Sequence, residues 1–148
     1  MNTSKSARYA LYAAMEMAAA PEGSPVTAAE VARRYELPPA VVAKVFQRLV
    51  RAGLALGTRG VTGGYQLGRD ASSVTLFDIV SIFDPPRPGG ACSLHACGGD
   101  GCSLYRDCRL RHVFDEIDEL ARTTLASVTL ATLVAPRQPL ARAIAGGR

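Results

Sequence analysis

The chain has 148 residues, of which 48% are hydrophobic and 20% charged. That balance is typical of one globular domain with a small addition and excludes a disordered chain. No apolar run reaches the roughly 20 residues of a membrane span. Glu16 interrupts the Ala-rich stretch that could pass for a signal peptide, so we expect a cytoplasmic protein with no membrane partner. The net charge of +4 is concentrated, because the segment from residue 38 to 69 holds no acid and five cations, Lys44, Arg48, Arg51, Arg59 and Arg69. A local positive excess is expected where phosphates are neutralised, although a solvated basic face gives the same pattern.

Three helices are predicted in the first third of the chain. Apolar residues recur at helical spacing over residues 7–20. Thr27 followed by Glu30 is a capping-box pattern that begins a short second helix. Pro39 suits the first turn of a third helix, which Gly53 ends. We expect the core side of this third helix to consist of Val41, Val42, Val45, Phe46, Leu49 and Val50, which leaves its other side free to contact a partner.

A hairpin and three more helices complete the prediction. Two short extended segments flank the glycine-rich residues 59–64, a pattern that indicates a hairpin, here called the wing. Thr75 and Asp78 form a second capping-box pattern, and the helix that they begin ends before Pro85. Residues 88–107 are rich in Gly and Cys and show no period, so something must organise them. A long amphipathic helix starts at Arg109, and a short one is predicted over residues 129–134.

The order of helices and hairpin predicts a winged helix-turn-helix, in which the third helix enters the major groove of DNA. Arg and Gln suit contacts to base edges, whereas Lys more often neutralises phosphate. The alternative is a small helical bundle in which these helices only build a core. The glycines at the wing lack the Lys-Ser/Thr of a phosphate loop. The candidate DNA contacts are Ala40, Val41, Lys44, Gln47, Arg48, Arg51, Arg59 and Thr62.

Four cysteines, Cys92, Cys97, Cys102 and Cys108, precede the long helix with gaps of four, four and five residues. Zinc sites usually contain a Cys-x2-Cys pair, which is missing from this sequence. Wider gaps in a glycine-rich segment favour an iron-sulfur cluster. A zinc site, a redox disulfide and unligated thiols remain alternatives, and His95 or His112 could complete a site with three cysteines.

Several of these segments resemble the Rrf2 family of winged-helix regulators. The resemblance rests on Tyr9-Ala-Leu, the phrase Leu49-Val-Arg-Ala-Gly-Leu54, the wing Arg59-Gly-Val-Thr-Gly-Gly-Tyr65 and the cysteine segment, and it covers nearly the whole chain. It implies a homodimer whose long C-terminal helices cross and which binds inverted-repeat DNA operators. The cysteine spacing is most similar to that of the family's nitric-oxide-sensitive repressors.

The resemblance also implies a ligand set for a 2Fe-2S or 4Fe-4S cluster. Cys97, Cys102 and Cys108 match the family's three ligands, with Cys92 or His112 as the fourth. Arg8 stands where some relatives have a ligating Asp, and Ala43 replaces a base-reading acid, so we expect a different fourth ligand and a different operator.

We therefore expect a mainly α-helical fold with a small β-hairpin. Residues 1–84 would form the DNA-binding domain, residues 85–108 the cluster-binding loop, and residues 109–148 a dimerisation helix and tail. The predicted function is a homodimeric repressor, not an enzyme, whose cluster senses nitric oxide, redox state or iron. The alternatives are an iron-sulfur electron-transfer protein and a winged-helix regulator with zinc or without a metal.

Overall fold

A computed structural model describes residues 3–61, 63–86 and 107–135 of the chain. Six helices and one hairpin lie in these residues, and every predicted element is present at its expected place. In chain order they are α1 (Lys5–Ala19), α2 (Ala28–Arg34), α3 (Pro39–Arg51), β1 (Ala55–Thr58), β2 (Gly64–Leu67), α4 (Leu76–Phe83), α5 (Arg109–Ser127) and α6 (Leu130–Val134).

Both predicted capping boxes are confirmed. The Thr27 hydroxyl accepts from the Glu30 backbone N–H at 3.2 Å, and the Glu30 carboxylate accepts from the Thr27 N–H at 2.8 Å. Thr75 and Asp78 repeat this arrangement at the start of α4, with distances of 3.1 and 2.9 Å. Each box satisfies two backbone donors that a helix start otherwise leaves unpaired, and this fixes where α2 and α4 begin.

The core forms where α1 crosses α3, α4 and α6. Alanines on the buried side of α1 present little bulk, so the larger side chains of the other helices approach its backbone closely. Phe46, Leu49, Ile79 and Leu130 are fully buried in this core. The prediction that Val50 packs there is wrong. It is 37% exposed although Leu49 beside it is fully buried, because it lies about 100° further round the helix than Leu49.

The turn between α2 and α3 has an unusual backbone. Glu36 adopts a left-handed conformation with φ of 52°, and the Leu37 N–H donates to the Ala32 carbonyl at 2.8 Å. Such a bond satisfies one of the carbonyls that a helix end leaves without a partner. The turn directs α3 across α2, which is the geometry of a helix-turn-helix.

The hairpin pairs β1 with β2 in antiparallel register, with Ala55 opposite Leu67 and Thr58 opposite Gly64. Val26 joins it through two backbone hydrogen bonds with Tyr65, at 2.9 and 2.8 Å. The wing is therefore held by backbone hydrogen bonds to the segment that precedes α2.

The C-terminal part of the described chain returns to the core. The Leu76 N–H donates to the Val128 carbonyl at 2.9 Å, and the Leu130 N–H donates to the Val74 carbonyl at the same distance. Leu130 is fully buried, so α6 shares the core of the helix-turn-helix. The division of the chain at residues 84 and 108 stays a prediction. Within the described ranges, no helix is both long and apolar enough to cross a membrane.

Candidate nucleic-acid interface and metal site

The side of α3 that faces away from the core carries most of the predicted DNA contacts. Its buried side consists of Val42, Val45, Phe46 and Leu49. Val41 is half-buried at the border of the two sides. The predicted contacts on α3 that are exposed recur every three or four residues and therefore share one face, which consists of Ala40, Lys44, Gln47, Arg48 and Arg51.

Arg48 differs from the other cations of this face, because its guanidinium contacts another helix. Its Nη2 donates to the backbone carbonyl of Ile82, near the end of α4. The guanidinium carbon also lies 4.3 Å from the centre of the Phe83 ring, which is a cation–π contact. The structure thus places Arg48 between α3 and α4.

The wing has a glycine-dependent shape. Gly60 has φ of +121°, a conformation that side chains rarely adopt, and a Cβ on Gly63 would lie 2.6 Å from the Thr58 carbonyl oxygen. Arg59, the predicted contact at the base of the wing, is exposed, and Val61 beside it is fully exposed. Thr62, the other predicted wing contact, lies outside the described residues.

An aromatic stack joins the wing to α3. The rings of Phe46 and Tyr65 lie with their centres 4.3 Å apart and their planes 18° from parallel. Phe46 is buried on the core side of α3, and Tyr65 belongs to β2. This contact fixes the position of the wing relative to the exposed face of α3, which is what two elements that contact one DNA duplex require.

A polar cluster joins α1 to α2. The Tyr35 hydroxyl donates to Glu16 Oε1 at 2.6 Å, and Arg34 forms an ion pair with the same carboxylate at 2.9 Å. Burial and the hydrogen bond to Glu16 raise the pKa of Tyr35 to about 12. The Tyr35 ring stacks on Tyr12 with centres 4.3 Å apart. The hydroxyl therefore stays protonated at neutral pH and holds α2 against α1.

Helix α5 has no buried residue and shows two different sides. One side is half-buried along α4 and comprises Arg111, Asp118, Ala121 and Leu125. The adjacent side is apolar and exposed, and it is here called the α5 stripe. The α5 stripe consists of Leu110, Val113, Phe114, Ile117 and Leu120, which are between 40% and 68% exposed.

Two of the candidate cluster ligands lie at the start of α5. Cys108 is its N-cap residue, half-buried and without a disulfide, and His112 is exposed one helical turn later. The His112 backbone N–H donates to the Cys108 carbonyl at 3.3 Å, so the two residues are joined across the start of α5. Cys92, His95, Cys97 and Cys102 lie outside the described residues. Among the described ones, no group of three His, Cys, Asp or Glu residues is arranged to hold a metal ion.

Comparison with known proteins identifies the family. The model of the Rrf2 family, described as iron-dependent transcriptional regulators, matches residues 3–136. The chain belongs to the Rrf2 family. The HTH-type transcriptional regulator BadM of Rhodopseudomonas palustris is 36% identical over 134 residues, which cover 90% of this chain and 81% of BadM.

Solved structures of other Rrf2-like regulators have the same fold. CymR of B. subtilis, its global cysteine regulator, superposes with a TM-score of 0.70 at 22% identity, covering 93% of this chain and 99% of CymR. IscR of T. potens superposes with a TM-score of 0.68 at 22% identity, covering 96% of each chain. The expected winged-helix fold and the family are therefore confirmed, and the chain is a DNA-binding transcriptional regulator.

Two features of the site were missed in the sequence. The contact of Arg48 with α4 was not expected, since its spacing placed it with Lys44 on the exposed face. The available signal was the pair Pro85-Pro86, because prolines leave the last carbonyls of the preceding helix without backbone donors. The burial of Leu130 was also missed, and its signal was the hydroxyl cap at Thr129, which starts a helix that must pack to be stable.

Proposed function

We propose that this protein is a homodimeric repressor that binds an inverted-repeat operator with an affinity controlled by an iron-sulfur cluster. The observation that carries the proposal is the position of Cys108. Cys108 is the N-cap residue of α5, the helix that carries the α5 stripe. A ligand at this position would connect the state of the cluster to the arrangement of the dimer, and thereby to the spacing of two copies of α3.

The proposed DNA contacts come from the exposed face of α3 and from the wing. In α3, Lys44 would neutralise a phosphate, whereas the Gln47 amide suits the edge of an adenine in the major groove. Arg59 would reach the backbone or the minor groove from the wing. The remaining proposed contacts are Ala40, Val41, Arg51 and Thr62, whereas the Arg48 guanidinium contacts α4.

The α5 stripe supports a second copy of this chain as the dimer partner. An apolar row from Leu110 to Leu120, about 15 Å at 1.5 Å per residue, is costly to leave in water. A twofold axis lets each copy cover the row of the other with the same residues. The axis also places two α3 helices as a symmetric pair, which matches an operator made of inverted half-sites about 34 Å apart.

The donor set fits an iron-sulfur cluster. Cys97, Cys102 and Cys108 would supply three thiolates, and Cys92 or His112 the fourth ligand. Cys108 and His112 lie close together at the start of α5, where the His112 N–H donates to the Cys108 carbonyl at 3.3 Å, which favours His112 as a candidate. A bound cluster would supply iron that reacts with nitric oxide or oxidants and is lost when iron is scarce. A cluster that favours the DNA-binding arrangement of the dimer raises operator affinity, and its loss lowers it.

Anaerobic purification tests the proposal directly. We expect a coloured dimer that contains iron and acid-labile sulfide and binds a selected operator more weakly after treatment with nitric oxide. Cys97→Ala, Cys102→Ala and Cys108→Ala should each remove the iron and the response. Comparing Cys92→Ala with His112→Ala identifies the fourth ligand, because only one of them should lower the iron content.

Three outcomes would contradict the proposed cluster-controlled repressor and separate the alternatives. A colourless protein that binds the operator would be a cluster-free regulator. Zinc in place of iron, with the same operator binding before and after nitric oxide, would indicate a structural zinc site. Iron and sulfide in a protein without operator affinity would favour an electron-transfer role.

A further inference from the structure

The end of α4 lacks the backbone donors that normally complete a helix. Its last hydrogen bond runs from the Asp84 N–H to the Val80 carbonyl at 2.8 Å. The next two donors along the chain would come from residues 85 and 86, and both are proline. Because proline has no N–H, the carbonyl of Ile82 must find its donor elsewhere or in water.

Arg48 supplies that donor from α3. Its guanidinium donates to the Ile82 carbonyl and at the same time covers the Phe83 ring at 4.3 Å. The C-terminal end of a helix carries a partial negative charge, so a cation is favoured there. A charged donor to a carbonyl is also stronger than a neutral one. Three separate effects therefore hold the guanidinium at the end of α4.

The end of α4 is in turn fixed to the core. Asp84 Oδ2 accepts from the Ser4 backbone N–H at 2.7 Å, at the start of α1. Ile79 of α4 is fully buried, and α4 packs along α1. A contact between Arg48 and this end of α4 consequently fixes the exposed face of α3 relative to the core.

We propose that Arg48 is a positioning residue, which sets the angle of α3 by holding it to α4, rather than a residue that contacts the operator. This inference rests on the proposed operator binding by α3. It assigns different roles to two cations one helical turn apart: Lys44 would act on phosphate, and Arg48 would act on α4. Phe83, which is far from α3 in sequence, then also influences operator affinity.

A double-mutant cycle in the full-length dimer tests this assignment. Arg48→Ala and Phe83→Leu are made singly and together, and operator affinity is measured by fluorescence anisotropy at several salt concentrations. We expect Arg48→Ala to weaken binding by roughly fivefold. Phe83→Leu should weaken binding less, because it removes the ring contact and leaves the hydrogen bond to the Ile82 carbonyl. The double variant should be no weaker than Arg48→Ala alone, because the Phe83 ring acts through the guanidinium. The slope of log affinity against log salt should stay at its wild-type value, since no phosphate contact is lost.

Matched variants make the result decisive. Lys44→Ala should lower the salt slope by about 1, and its effect should add to that of Phe83→Leu. Arg48→Lys keeps the charge and a donor, and it should recover part of the affinity. Thermal unfolding of every variant monitors the stability of the fold.

The opposite pattern would overturn the inference. If Arg48→Ala lowers the salt slope as Lys44→Ala does, Arg48 contacts DNA directly. If Phe83→Leu leaves affinity unchanged, the contact of Arg48 with α4 does not set operator binding. A wild-type protein that binds no sequence in an operator library contradicts the proposed function itself, which is a different result from either of these.

Discussion

Helices α3 and α5 are both amphipathic, but the apolar side of α3 is buried and that of α5 is exposed. In α3 the apolar side is covered by the chain itself, and Phe46 and Leu49 are fully buried. In α5 no residue is buried, and the α5 stripe remains exposed. Periodicity thus indicates that a helix has a side to cover, whereas the identity of the partner depends on the rest of the fold.

The polar sides of the two helices differ in the same way. On α5, Arg111 pairs with Asp115 at 2.8 Å, and Arg122 pairs with Glu119, so cations and acids neutralise each other along the helix. The exposed face of α3 carries cations and no acid. A helix whose charges pair with each other attracts a charged partner only weakly. The cations of α3 face no acid on their own helix and can therefore attract an anionic partner. The comparison predicts that α3 contacts DNA and that α5 contacts another protein surface.

The largest expected effect comes from the buried side of α3. Phe46→Ala removes a fully buried ring and its stack on Tyr65, and it should lower the free energy of unfolding by about 3–5 kcal/mol. Urea denaturation measures the loss. Val61→Ala, at a fully exposed position of the wing, is the control and should cost less than about 0.5 kcal/mol. A loss below about 1 kcal/mol for Phe46→Ala would show that α3 is not anchored through this ring.

The next effect concerns the α5 stripe. Ile117→Glu places a charge in the middle of the stripe and should weaken dimerisation by about 100-fold or more, because the charge would be buried without a partner. Analytical ultracentrifugation measures the change. Ala126→Glu adds the same charge nine positions later, on the opposite side of the helix, and should leave the dimer intact. Equal effects of the two variants on dimerisation would show that the α5 stripe is not the dimer contact.

A smaller effect is expected for a single phosphate contact. Lys44→Ala should weaken binding about equally for all DNA sequences and lower the salt slope by about 1. Arg122→Ala removes a cation of the same charge from α5 and serves as the control, with an unchanged slope. Anisotropy titrations at several salt concentrations measure both variants. Identical slopes for the wild type and the two variants would argue against α3 as the DNA-contacting helix.

The smallest effect concerns the capping box of α2. Hydrogen bonds from the backbone and side chain of Thr27 lower the pKa of Glu30. A carboxylate with a lowered pKa in the folded state stabilises the fold above its unfolded pKa, and the stabilisation is lost as the pH falls through the folded value. Glu30→Gln should therefore lower Tm at neutral pH, and the difference from wild type should shrink as the pH falls below the ordinary pKa range of a glutamate. Glu22→Gln removes the same charge from the exposed turn before α2 and serves as the control.

The fold could be predicted from sequence because its elements are defined locally. Capping boxes at Thr27 and Thr75 and the glycines of the wing are short patterns with direct physical causes, and each appears in the structure where it was expected. The exposure of Val50 and the burial of Leu130 could not be predicted in this way. They depend on which elements meet in space, and periodicity within one helix contains no such information.

The candidate site was predictable to a smaller extent. Spacing alone grouped the exposed side chains of α3, and the structure places them on one face. The same spacing predicted the same role for Arg48 as for Lys44. It could not show the contacts of Arg48 with Ile82 and Phe83, because these depend on a second helix. For the cluster, Cys108 and His112 are the predicted ligands that the structure describes, and the ligand set stays a prediction.

Helix α4 connects α5 with α3. Backbone hydrogen bonds hold the C-terminal end of α5 to the residues that begin α4, while Cys108 lies at the opposite end of α5. The first residue of α4, Leu76, takes part in these bonds, and Arg48 of α3 contacts the last two, Ile82 and Phe83. A helix of 8 residues is thereby the shared neighbour of the helix that begins at a candidate cluster ligand and of the helix that carries the candidate DNA contacts.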